Sequence, residues 1–136
     1  MIKAVLFDYG GVISPGGRGV EITDRIAENL NVSKERAFEL LDIGWTLYAN
    51  GKISEGDFWT MLEEAYGQPV PTAKRNIWID WEAMQPKPEM LDFVQRLKRQ
   101  GLTVGLLSNV IPFTMNQIRD HGVYDEFDFA ILSAEI

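Results

Sequence analysis

Three short stretches, Ala4 to Phe7, Leu102 to Leu107 and Phe127 to Leu132, are dominated by apolar residues and are bounded by polar residues or glycine. Runs of this length without a polar face suit strands buried on both sides, as in a parallel sheet. The first ends at Asp8, before Gly10-Gly11; the second ends at Ser108-Asn109, and the third at Ser133. A parallel sheet needs helical crossovers between such strands, and the intervening segments read as helices.

From Val20 to Met84 the apolar residues recur at helical spacing, beginning with Ile22, Ile26 and Leu30. Ser33 is suited to N-cap a second helix, with Glu35 in its first turn and Phe38, Leu41 and Trp45 on one side. Gly51 can close it. Ser54 followed by Asp57 resembles a capping box ahead of Phe58, Trp59, Met61 and Leu62. Thr72 to Met84 is expected to form one further helix carrying Ile77, Trp78 and Trp81. Beyond Pro86 and Pro88, Glu89 to Gln100 predicts a helix stopped by Gly101, with acidic residues at its start and Lys98 and Arg99 at its end. Pro112 to His121 predicts another. The expected architecture is an α/β core of residues 1–14 and 85–136, with three parallel strands and a helical insert over 15–84. Pro15 to Gly19 is the expected hinge.

The net charge of −7 argues against a nucleic-acid or anionic-membrane partner, which would call for basic stripes. The absence of cysteine excludes disulfides, zinc–thiolate sites and cysteine nucleophiles in these residues. No stretch approaches a membrane span, and the N-terminal apolar run is too short for a signal peptide. A cytoplasmic location is the expectation.

Ligands of open α/β sheets bind at the carboxyl ends of the strands. Asp8 and Ser108 would meet there if their strands are neighbours, and the glycines after Asp8 would let backbone N–H groups approach an anion. Taken singly, Asp8 is more often a cap or turn residue, and Ser108-Asn109 a turn. The loop at Pro15 to Gly19 lacks the Lys-Ser/Thr of a P-loop, and Arg18 reads as a solvated arginine. Trp45, Trp59, Trp78 and Trp81 read as core packing of the insert rather than a substrate pocket. His121 reads as a helix C-terminal residue. Asp125, Glu126 and Asp128 read as a solvated acidic face.

Leu6-Phe7-Asp8-Tyr9-Gly10-Gly11-Val12-Ile13 resembles the first motif of the haloacid dehalogenase (HAD) superfamily, and Gly105-Leu106-Leu107-Ser108-Asn109 its second. Gly51-Lys52-Ile53-Ser54 through Phe58-Trp59 is similar to the helical cap of a phosphatase branch, and His121-Gly122-Val123 through Ser133 resembles the third-strand region. The resemblance covers essentially the whole chain. It implies a Rossmann-like core with an inserted helical cap. Asp8 would be a nucleophile forming an aspartyl-phosphate, with Mg²⁺ held by Asp8 and the Gly10 carbonyl. The phosphate would be bound by Ser108, Asn109, Tyr9 and Gly10, and the substrate would be a small phosphorylated metabolite. Two departures stand out. Gly10 occupies the position of the general acid/base aspartate, a group worth about 10²–10⁴-fold in rate. The family's lysine and its acidic pair would follow the third strand and are not among these residues; Lys87-Pro88 looks like the lysine motif but lies too early in the chain.

Two unit charges ~4 Å apart in an effective dielectric of ~20 repel by about 4 kcal/mol, so low turnover by this chain, read as truncated before the third motif, is expected. The resemblance also leaves the first strand with an open edge, which predicts a homo-oligomer or strand-exchanged dimer. Two other readings remain open: a 2-haloacid dehalogenase in which Asp8 attacks carbon without a metal, and a non-catalytic truncated fragment that self-associates.

Overall fold

The computed structural model describes residues 1–16 and 19–136, with only the backbone for 19–21. The expected hinge at Pro15 to Gly19 and the placement of Arg18 therefore fall partly outside the described residues. The strands are β1 (Ala4–Phe7), β2 (Thr103–Ser108) and β3 (Phe129–Leu132). The helices are α1 (Gly19–Leu30), α2 (Lys34–Ala49), α3 (Glu55–Tyr66), the single turn α4 (Trp81–Met84), α5 (Pro88–Arg99) and α6 (Pro112–Asp120). The sheet is parallel in the order β1-β2-β3, with Leu6 beside Gly105 and Gly105 beside Phe129. The α/β class with three parallel strands agrees with the sequence reading.

Local chemistry fixes the helix ends. The Ser33 hydroxyl accepts the Arg36 N–H at the start of α2. Ser54 and Asp57 form a reciprocal capping box at the start of α3. Proline opens both α5 and α6, where a missing N–H costs nothing. Gly51, just past α2, has φ +68°, and a Cβ there would collide with the Ala134 carbonyl of the core. Only glycine suits both demands.

The expected helix over Thr72 to Met84 does not form. A short 3₁₀ turn, Thr72–Lys74, and the one-turn α4 flank a non-helical stretch. The physical reason is that neighbouring Ile77 and Trp78 are both buried among residues of α1, α2 and α3. The Trp81 ring instead stacks on His121, with centroids 3.9 Å apart. Tertiary packing of successive side chains overrides the apparent helical spacing.

Two apolar clusters result. One gathers α1, α2, α3 and Ile77-Trp78 around Leu40, Tyr48 and Phe58. The other gathers β1–β3, α5 and α6 around Val94, Val104, Leu106 and Ile118. They meet where Phe113 of α6 stacks on Trp78, with centroids 5.5 Å apart.

The sheet is covered on one face only. Phe7, Val104, Leu106 and Leu132 are buried beneath the helices. On the other face Leu6, Leu107, Phe129 and Ile131 are between 39% and 51% exposed. This corrects the expectation of strands buried on both faces: among the described residues no helix lies over that side. The Phe129 ring lies over Gly105, where a Cβ would collide with it. β1 ends the sheet on one side.

Candidate active site

β1 and β2 are parallel neighbours, so their carboxyl ends reach the same rim. Asp8 and Ser108, 100 positions apart in the chain, meet there: the Ser108 hydroxyl donates to Asp8 Oδ1 at 2.8 Å. The Tyr9 N–H donates to the same oxygen at 2.7 Å. Among the described residues Oδ2 accepts no hydrogen bond, and Asp8 is exposed. The carboxylate is thus held by one oxygen and offers the other to the rim. Ser108 is 6% exposed, buried beside it.

After Asp8 the chain makes a wide turn, Tyr9–Ile13, closed by the Ser14 N–H donating to the Tyr9 carbonyl at 2.9 Å. Gly11 has φ +78° in this turn. Tyr9 is buried, and its hydroxyl donates to the Met84 carbonyl at 2.5 Å. Its ring is therefore committed to joining the turn to α4, and what Tyr9 presents at the rim is backbone. Burial pushes the phenol well above its ordinary range. Asn109 is exposed beyond Ser108. The loop that follows is tied to the end of β3: Val110 N–H donates to Ser133 Oγ at 3.1 Å, and that hydroxyl donates to the Val110 carbonyl at 3.3 Å.

Asp8, Ser108 and Asn109 line a recess of about 370 Å³ with Leu107, Ile131 and Ser133. Asn109 also lines a pocket of about 180 Å³ between core and cap, with Tyr9, Gly10 and Trp45. Trp45 contributes to both apolar packing and this pocket, a role the sequence reading assigned to packing alone. No described residue lining the Asp8 recess has a cationic side chain. Two of the three acidic residues have structural work: Asp128 accepts the Val104 N–H at 2.8 Å and faces Lys98 at 3.7 Å, while Glu126 accepts from Gln95 at 2.6 Å.

The Mg²⁺ donors implied by the sequence resemblance are the Asp8 carboxylate and the Gly10 carbonyl. Both are hard oxygens of the kind Mg²⁺ takes, and Mg²⁺ commonly binds through one or two carboxylates while keeping several waters. The carboxylate has two oxygens, so Oδ1, which loses the Ser108 donor when that hydroxyl turns away, can serve the ion while Oδ2 is left open to the rim. Among the described residues no group of three or more His, Asp or Glu side chains supplements it.

No protein-family model matches the sequence. Over 133 residues it is 24% identical to a sesquiterpene phosphatase of Aspergillus oryzae, a match covering 97% of this chain and 64% of that protein's length. Among solved structures, a HAD family enzyme of Bacteroides thetaiotaomicron superposes with a TM-score of 0.73 at 23% identity, covering 98% of this chain and 70% of that one. The same enzyme in complex with magnesium and inorganic phosphate gives 0.71 at 24% identity, covering 99% and 70%. A HAD-like family hydrolase from Porphyromonas gingivalis gives 0.67 at 23% identity, covering 99% and 68%. The fold is that of the HAD family enzymes. No described helix is long and apolar enough to cross a membrane.

Proposed function

We propose that this chain carries the nucleophile of a Mg²⁺-dependent phosphatase acting on a small phosphorylated metabolite. The observation that carries the reading is the Ser108 to Asp8 hydrogen bond, which sets a hydroxyl donor against a half-free carboxylate at the carboxyl rim of a parallel sheet. Similarity to a sesquiterpene phosphatase, and to an enzyme crystallised with magnesium and phosphate, supports it.

In this mechanism Asp8 Oδ2 attacks phosphorus and the bond to the leaving oxygen breaks, giving an aspartyl-phosphate and an alkoxide. Oδ1 stays pinned by the Tyr9 N–H, which fixes the line of attack. Ser108 turns its hydroxyl from Oδ1 to a phosphoryl oxygen as charge develops there. Gly10 offers no proton, so the leaving oxygen takes one from water. A second water then attacks phosphorus, releasing phosphate and restoring the carboxylate. Mg²⁺, held by Asp8 and the Gly10 carbonyl when bound, would neutralise phosphoryl charge.

The test is Mg²⁺-dependent phosphate release from an aryl phosphate. Weak Mg²⁺-dependent release that Asp8→Asn abolishes is the expected result. Turnover equal in both proteins would sink the proposal.

A further inference from the structure

The pocket between core and cap limits what can be attached to the phosphate. It adjoins the Asp8 recess through Asn109 and has a volume of about 180 Å³. Ile22, Ile79, Met84, Val110 and Ile111 form most of its wall, and no described lining residue bears a charge. Of its four polar side chains two are engaged, while Asn109 and Thr114 make no side-chain hydrogen bond among the described residues. The Tyr9 hydroxyl is held by the Met84 carbonyl, and Ser14 Oγ lies between the Tyr9 carbonyl at 3.4 Å and the Gly16 N–H at 3.3 Å. A polyhydroxylated or charged leaving group would lose more water here than Asn109 and Thr114 can replace.

Trp45 stands at the end of this pocket. It also lines an open groove of about 730 Å³ between α1 and α2, where Phe38 and Leu41 lie among charged residues that include Asp24, Lys34 and Asp42. Its ring is braced by Trp78 at 6.4 Å and Phe58 at 6.5 Å between centroids. The indole is therefore a wall common to the small pocket beside the site and to this larger groove.

We propose that the site takes phosphate monoesters of small apolar alcohols, seated in this pocket, and that Trp45 limits their length. The proposal rests on the phosphatase reading for the position of the phosphate. The pocket is the small one of the two, so a short alkyl chain such as butyl is the group expected to fill it. Each methylene buried there should raise affinity about fourfold.

The experiment is calorimetric binding of methyl-, butyl- and octylphosphonate to the full chain with MgCl₂, with dihydroxypropylphosphonate as the polar comparator. Butylphosphonate is expected to bind at least tenfold more tightly than methylphosphonate by the per-methylene increment, and more tightly than the dihydroxy compound. Octylphosphonate should gain little over butyl in the native chain but should gain in Trp45→Ala; Trp45→Leu serves if the alanine variant does not fold. Ile79→Asn, which adds polarity without charge, should reduce the butyl advantage over methylphosphonate. Equal binding of methyl and butyl, or preference for the dihydroxy compound, would overturn the apolar assignment while leaving the phosphatase reading standing. An octyl affinity unchanged by the Trp45 variants would overturn the role of Trp45. Failure of every phosphonate to bind would sink both readings.

Discussion

The Ser108 hydroxyl is buried, held close to Asp8 and free to rotate toward a ligand. Removing one donor of this kind from a phosphoryl or acyl site typically costs about 10²–10³-fold in kcat. Ser108→Ala is expected to lower kcat on an aryl phosphate by about 10²-fold with a smaller change in KM. A loss confined to KM would show that the hydroxyl serves binding alone. Asp8, Ser108 and Asn109 were legible from sequence because each follows an apolar run, and strand ends are where α/β sheets place ligands. The Tyr9 side chain was not legible as a tether, since its partner is a backbone carbonyl 75 positions away. Trp45 read as packing because its helix places it among aromatic neighbours; only the cap's seating on the core reveals its second face. His121 does end α6, with Nδ1 2.7 Å from the Gln117 carbonyl, but its stacking on Trp81 joins segments that sequence cannot pair.

Helix ends were the most legible elements, because a cap is a local event. Ser54→Ala should remove the capping box of α3 and cost about 1 kcal/mol, read as a lower urea midpoint. An unchanged midpoint would mean that packing alone fixes the helix start. The segment over Thr72 to Met84 was misread because its burial is set by the cap rather than by periodicity. A second tether belongs to this scale: the Phe113 N–H of α6 donates to the Tyr48 hydroxyl of α2 at 3.2 Å. Burial, with help from Glu55, pushes the Tyr48 phenol from 10.0 up to about 12. Tyr124 is likewise raised to about 12, chiefly by burial. The folded state thus keeps protons that the unfolded chain has begun to lose. Their stabilisation is complete below pH ~10 and declines as pH rises toward ~12. The urea midpoint should fall over this range, and less steeply in Tyr48→Phe. Equal slopes would remove Tyr48 from the account.

At the scale of the molecule, the uncovered sheet face and the end strand β1 act together. Leu6, Leu107, Phe129 and Ile131 form an apolar patch beside unpaired strand backbone, a combination prone to self-pairing. The 136-residue chain on its own is expected to self-associate through a second copy of this surface, with Ile131→Lys shifting sedimentation toward monomer. A native chain that sediments as monomer at high concentration would exclude that. The three parallel strands were legible from their apolar runs and the helices between them; the bare face was not, because an apolar run does not say which of its sides is covered. The pairing of Ala4–Phe7 with Thr103–Ser108 also carries a cost during synthesis. At ribosomal rates of about 5–20 residues per second, β1 waits roughly 5–20 s for its partner to be made. The cap's helices, built from near neighbours in sequence, can fold within that interval. Asp8 therefore emerges among the first residues of this segment, and its site is among the last features to be assembled.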